Sequence, residues 1–294
     1  MKFLSAVLFF ISSLYSLEFQ VTNMSISNGT TSLLEFKKES NLSYKKITLD
    51  KKSYKIYENP VDSTKLYVLL PISYYAKAKN ITLDIHYKEK SKQKIKSVQL
   101  KIQNGQYKKE NIQVSRSKVN PKSKEVKNRI SKEYSEAMKI YGTSTNENYI
   151  SSKFILPIES FITSDFGKAR VYNNTLNGYH SGTDFRAKIG TPILASNDGV
   201  IVLAKDRFYS GGTIIINHGQ GVYTCYYHMS QLDLKLGQKT KKGQVIGLSG
   251  KSGRVTGPHL HFSVRVGGVQ VDPLQFVQLM NDTIFENQQD RKEL

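Results

Sequence analysis

Five of the six histidines fall between positions 180 and 261, beside glycine turns and strand-like runs, the kind of place where sites are built. In Pro258-His259-Leu260-His261-Phe262-Ser263-Val264-Arg265-Val266, strand alternation puts His259, His261, Ser263 and Arg265 on one face. Leu260, Phe262, Val264 and Val266 then share the other, which must be the core face. Two imidazoles therefore project from one strand into a common polar surface. In His180-Ser181-Gly182-Thr183-Asp184, an imidazole and a carboxylate four residues apart can converge if the chain bends at the glycine. Zinc takes imidazole nitrogen and carboxylate oxygen, and a catalytic zinc site keeps three protein ligands with one position open. His180, Asp184 and one histidine of the 259/261 pair would make such a set. In Tyr226-Tyr227-His228-Met229, alternation predicts His228 on the face of Thr224 and Tyr226, at the rim, where it could handle a proton or stabilise an oxyanion.

Singly, each element is a weak signal; together and in this order they are specific. His180-Ser181-Gly182-Thr183-Asp184 resembles the His-x-Gly-x-Asp motif of lysostaphin-type (LytM-like) zinc peptidases. Gly257-Pro258-His259-Leu260-His261-Phe262 resembles their Gly-Pro-His-Leu-His block, and Tyr226-Tyr227-His228-Met229 their Tyr-x-His-Leu block with Met for Leu. Ser164-Asp165-Phe166-Gly167, Ile216 to Gly221 and Lys242 to Gly247 agree with the family's intervening pieces. The resemblance covers about residues 153–275.

It implies that His180, Asp184 and His261 bind one zinc ion, with His228 and His259 as the catalytic pair. It implies peptidoglycan as substrate and hydrolysis of its peptide crosslinks or stem peptides, endopeptidase cleavage being favoured. D,D-carboxypeptidase trimming and a non-enzymatic, wall-binding activator are the alternatives. All five site positions match the family pattern, unlike relatives that have lost ligands and serve as activators. His218 could contact substrate, orient a ligand, or be structural. Tyr226 and Tyr227 could line the groove or pack in the core. Arg170 and Arg265 could hold a peptide carboxylate or sit solvated. The single cysteine, Cys225, allows no intrachain disulfide and suits a buried small apolar position.

The elements that must position these residues are mainly strands. Residues 17–118 suggest a small β-sandwich-like domain. Leu66 to Leu70 is an apolar run, Ile81 to Tyr87 and Val98 to Ile102 alternate, and Asn104-Gly105 signals a hairpin. His86 sits alone there. Within 119–149, Asn120-Pro121 opens a connecting helix over 121–141, its apolar positions at helical spacing and Gly142 at its end. Residues 150–280 predict an antiparallel sheet with an open groove, and 281–294 a polar tail.

The formal charge is +19, with 26 Lys and Arg against 13 Asp and Glu in residues 18–152. Such a basic segment attracts polyanions, and an anionic wall or membrane surface fits. No nucleic-acid motif is present. Met1-Lys2, the apolar run Phe3 to Leu14 and the small residue Ser16 have the form of a secretory signal over residues 1–16. That predicts an exported protein of the periplasm or cell envelope.

Overall fold

The computed structural model describes residues 17–113, 117, 121–172 and 176–285. The expected signal segment, Asn120 and the end of the tail from residue 286 lie outside the described residues.

The first nine strands are β1 (Phe19–Val21), β2 (Ser25–Ser27), β3 (Thr31–Lys37), β4 (Leu42–Leu49), β5 (Lys52–Tyr54), β6 (Tyr57–Glu58), β7 (Lys65–Pro71), β8 (Lys79–Glu89) and β9 (Lys92–Gln103). They form two sheets, ordered β1-β3-β7-β6 and β2-β9-β8-β4-β5. Leu34, Phe36, Val68 and Leu70 of the first face Ile47, Ile81, Leu83, Ile85, Leu100 and Ile102 of the second across an apolar core. This is the expected sandwich, and the period-2 pattern of β8 and β9 is what seals it. The tight β4–β5 turn places Asp50 and Lys51 at positive φ (48° and 70°), as a two-residue hairpin with matching twist requires.

Asn104-Gly105 does not make the expected hairpin. The Asn28 carboxamide accepts from the Gly105 N–H at 2.6 Å, and a side chain at Gly105 would run into the Tyr107 ring. The chain instead leaves the sandwich and forms β10 (Lys109–Ile112), which lies parallel to β12 (Ala169–Tyr172) of the second half of the molecule. Strand pairing therefore crosses the boundary expected near residue 118.

Helix α1 (Lys124–Tyr141) starts three residues later than expected, because the Ser123 hydroxyl accepts from Val126 N–H as its cap. It does more than connect. Ala137 and Tyr141 pack on Leu203, Ile215, Tyr223 and Cys225 of the sheet that follows.

The later strands are β11 (Ile162–Ser164), β12, β13 (Leu176–Tyr179), β14 (Thr183–Arg186), β15 (Pro192–Leu194), β16 (Gly199–Arg207), β17 (Gly211–Asn217), β18 (Val222–Met229), β19 (Gln231–Leu232), β20 (Lys239–Thr240), β21 (Val245–Leu248), β22 (His259–Val266) and β23 (Val269–Val271). The main sheet runs β11-β14-β22-β18-β17-β16-β20, with β23 on β22, and its pairs are antiparallel. Helix α2 (Pro273–Thr283) closes the fold, capped by the Asp272 carboxylate. Residues 281–285 are not the start of a polar tail: Ile284 and Phe285 are buried in the core that α2 seals.

That core also contains Leu33, Tyr57, Tyr67 and Leu69 from the first sheet. Strands β3 and β7 are thus buried on both faces, one against the sandwich and one against the second half. This explains why Leu66 to Leu70 reads as a continuous apolar run rather than an alternating one. The Gln275 carboxamide pairs with both backbone groups of Thr31 at 2.9 Å, and Tyr67 donates to the Gln220 carboxamide oxygen. Truncating Leu33 to Ala leaves a hole in the shared core and is expected to cost roughly 2–5 kcal/mol. Urea unfolding of L33A should show one cooperative transition at lower denaturant. Two separate transitions, with the second half unaffected, would show the halves to be independent.

Candidate metal centre

The site is set by the register of two strands. Antiparallel pairing of β14 with β22 puts Asp184 directly across from His261. Leu260, Phe262, Val264 and Val266 occupy the core face as the alternation requires, so both side chains project to the opposite face. His180 comes from the turn before β14, where its N–H bonds to Lys168 and its carbonyl accepts from Gly167, both at 2.8 Å. The His180 Nδ1–H donates to the Asp165 carbonyl at 2.7 Å, which fixes the tautomer and turns Nε2 inward.

Three atoms able to bind a metal converge. His180 Nε2 lies 2.9 Å from Asp184 Oδ1 and 3.0 Å from His261 Nδ1, and His261 Nδ1 lies 2.7 Å from Asp184 Oδ1. Tetrahedral ligands at 2.0–2.1 Å from zinc stand about 3.3 Å apart, so a few tenths of an ångström of expansion would admit the ion. Two imidazole nitrogens and one carboxylate oxygen, all buried, are a donor set that fits zinc.

Gly182 is what lets His180 and Asp184 come together. A Cβ there would meet the Phe262 carbonyl at 2.3 Å and His261 Nε2 at 2.6 Å. The motif needs glycine because the turn passes against the neighbouring strand and the His261 ring itself.

Arg170 sits elsewhere than a peptide-holding role would need. Its guanidinium reaches Asp184 Oδ2 at 3.3 Å, the Ser164 hydroxyl at 3.1 Å and Glu110 Oε2 at 3.0 Å. The carboxylate it holds is that of Asp184, leaving Oδ1 to face the two imidazoles. Burial alone would raise the Asp184 carboxyl. Hydrogen bonds and charge from His180 and His261 outweigh it and hold the group well below the usual carboxylate range.

His228 and His259 stand beside this cluster. Their ring centroids are 4.8 Å apart, and His259 Nε2 is 3.7 Å from Asp184 Oδ1. His228 does not share the face of Tyr226, as alternation predicts. A bulge shifts the β17–β18 register between Ile214–Tyr226 and Gly212–Met229, and His228 takes φ +63°. Tyr226 and Met229 both enter the core, while the His228 ring comes within 6.0 Å of the His261 ring. Each Nδ1–H donates to a carbonyl, Ser252 for His228 at 2.9 Å and Gly257 for His259 at 2.8 Å. Both rings therefore offer a bare Nε2. Burial first, then the charges of the neighbouring imidazoles, push His228 down to about 3; burial likewise lowers His261 to about 4.

The remaining candidates divide. Tyr227 is on the site face, stacked on His261 at 5.3 Å, and lines a cavity of about 720 Å³ between α1 and the sheet, whose rim includes Ser181 and Ser210. Tyr226 is not in a groove: it is fully buried and its hydroxyl bonds to Ser196 N and Thr224 Oγ1, both at 2.9 Å. His218 is also buried, donating from Nδ1 to the Asp198 carbonyl at 2.7 Å and meeting the Thr224 hydroxyl at Nε2, also 2.7 Å. Burial holds it neutral, near 4, and its two nitrogens serve the core. Arg265 binds the Gly268 carbonyl at 3.0 Å and Gln270 Oε1 at 2.8 Å and lies over the Tyr141 ring, so it ties β22, β23 and α1 together. Cys225 is buried, and burial raises its thiol, which makes it a poor nucleophile.

The chain matches the model of peptidase family M23 over residues 178–273. Over 115 residues it is 44% identical to the peptidoglycan DD-endopeptidase ShyA of Vibrio cholerae, covering 39% of this chain and 27% of that protein. Over 95 residues it is 42% identical to the DD-carboxypeptidase/endopeptidase Mpg of Neisseria meningitidis, covering 32% of this chain and 22% of the other. The chain thus spans about a quarter of the length of the curated relatives it matches. A crystal structure of a candidate M23 peptidase from Pseudomonas aeruginosa superposes with a TM-score of 0.64 at 23% identity, over 85% of this chain and 94% of that one. It shares the fold.

Replacing Gly182 with Ala should displace His261 while leaving the sheet in place. Elemental analysis of folded G182A is expected to find most of the bound metal gone, and full metal content would contradict the close approach described.

Proposed function

We propose that the chain is a zinc-dependent metallopeptidase that hydrolyses peptide bonds of bacterial peptidoglycan in the cell envelope, with endopeptidase cleavage of crosslinks favoured over carboxypeptidase trimming. The observation that carries this is the convergence of His180 Nε2, Asp184 Oδ1 and His261 Nδ1 on one point, with two further imidazoles beside it. The names of the relatives ShyA and Mpg support the substrate class. The intact donor set favours an enzyme over a binding protein that activates others.

His180, Asp184 and His261 would hold the zinc. When bound, zinc supplies Lewis-acid polarisation of a carbonyl and lowers the pKa of water. The chain's own residues manage the proton. His259 and His228 each present a bare Nε2 because their Nδ1–H groups are committed to carbonyls. Either can accept the attacking water's proton at Nε2 as general base, stabilise the developing oxyanion as the imidazolium so formed, and pass that same proton on to the leaving amine. Tyr227, stacked on His261 and open to the adjoining cavity, would meet the substrate. The basic first half would favour an anionic wall or membrane surface.

Incubating the purified protein with peptidoglycan and resolving the muropeptides tests this. Wild type should convert crosslinked muropeptides to uncrosslinked ones in a chelator-sensitive way. H259A should keep its metal and lose turnover on the order of 100-fold or more. Metal-independent cleavage, or an H259A variant as active as wild type, would overturn the assignment.

A further inference from the structure

The metal cluster has a neighbour that comes from outside the peptidase domain. Strand β10 lies parallel to β12 with Glu110 paired in register to Arg170. Glu110 Oε2 accepts from Arg170 Nε at 3.0 Å, while the other end of the same guanidinium grips Asp184 Oδ2 at 3.3 Å and the Ser164 hydroxyl at 3.1 Å. The Ser164 hydroxyl also lies 3.3 Å from His180 Nδ1. One arginine therefore steadies two of the three ligands.

We infer that Glu110 is a positioning residue for the metal centre, acting through Arg170; this rests on the zinc reading proposed above. Two physical effects require it. The first is orientation. Arg170 is long and its side chain is only 14% exposed. Held at Nε by Glu110, its fork is fixed where it can hold Asp184 with Oδ2 occupied and Oδ1 free for the ion. The second is charge. Arg170 cancels the one negative charge that the ligand set offers a divalent cation, and a bound cation adds to the repulsion. Glu110 restores the balance: with it, Arg170, Glu110 and Asp184 together carry one net negative charge toward the metal. An ion pair fully in water would matter little, but Arg170 and Asp184 are both largely buried, so screening there is weak.

Glu110 precedes the segment matched to the M23 family by 68 positions, since that segment begins at 178. The β10–β12 pairing thus makes the chain ahead of the domain part of what holds the ligands.

The test compares zinc affinity by chelator competition in the full chain for wild type, Glu110→Gln and Glu110→Asp, with the melting temperature of each metal-free protein measured alongside. Glu110→Gln is expected to weaken zinc binding about tenfold or more with the metal-free melting temperature unchanged. Glu110→Asp, which keeps the charge, should recover part of the loss. A lower metal-free melting temperature with wild-type zinc affinity would show an ordinary structural ion pair and overturn the inference. Folded wild-type protein that fails to bind zinc would instead overturn the proposed function, and this inference with it. Should Glu110→Gln fail to fold, Arg170→Lys decides: zinc affinity weakened in it with the metal-free melting temperature unchanged supports the role, and wild-type affinity in it rejects the role, since Glu110 acts through the Arg170 fork.

Discussion

The site depends on the register between β14 and β22. Pairing Asp184 with His261 brings a carboxylate and an imidazole across a strand gap where side chains are close enough to share an ion. A slip of one residue would send His261 into the core and Leu260 toward the metal position. That slip is prevented by the apolar face of β22, whose Leu260, Phe262, Val264 and Val266 are all buried in one cluster. Hydrophobic packing on one side of the sheet thus fixes polar geometry on the other.

The same sheet is held from two further directions. On the core side, Leu33, Tyr57, Tyr67 and Leu69 of the sandwich join its cluster. On the site side, α1 covers one end through Ala137 and Tyr141, and Arg265, over the Tyr141 ring, links that helix to β22. The first half of the chain is therefore both a scaffold beneath the sheet and part of the rim around the site. The β10–β12 pair adds a third connection, the one that ends at Asp184.

What was legible in the sequence followed from local rules. Alternation in His259 to Val266 assigned both histidines to one face, since a strand buried on one side leaves no other choice. The sandwich followed from the alternation in β8 and β9, and the helix from its spacing. The exceptions are non-local. His228 departs from the face of Tyr226 because a bulge with a left-handed residue breaks the alternation, and nothing in Tyr226-Tyr227-His228-Met229 announces it. The place of Arg170 depends on a partner 60 positions away in Glu110, which becomes a neighbour only when β10 pairs in parallel with β12. Asn104-Gly105 has the composition of a hairpin turn, but bonds to Asn28 direct the chain elsewhere. Ile284 and Phe285 look like the start of a polar tail only if the core they enter is not known.

The measurement closest to the central claim is X-ray absorption at the zinc edge on the purified full chain. One zinc per chain is expected, with two imidazole nitrogens and a carboxylate oxygen at about 2.0–2.2 Å and a fourth, exchangeable ligand, all lost in Asp184→Ala. A folded chain without zinc, or one whose zinc environment is the same in Asp184→Ala, would contradict it.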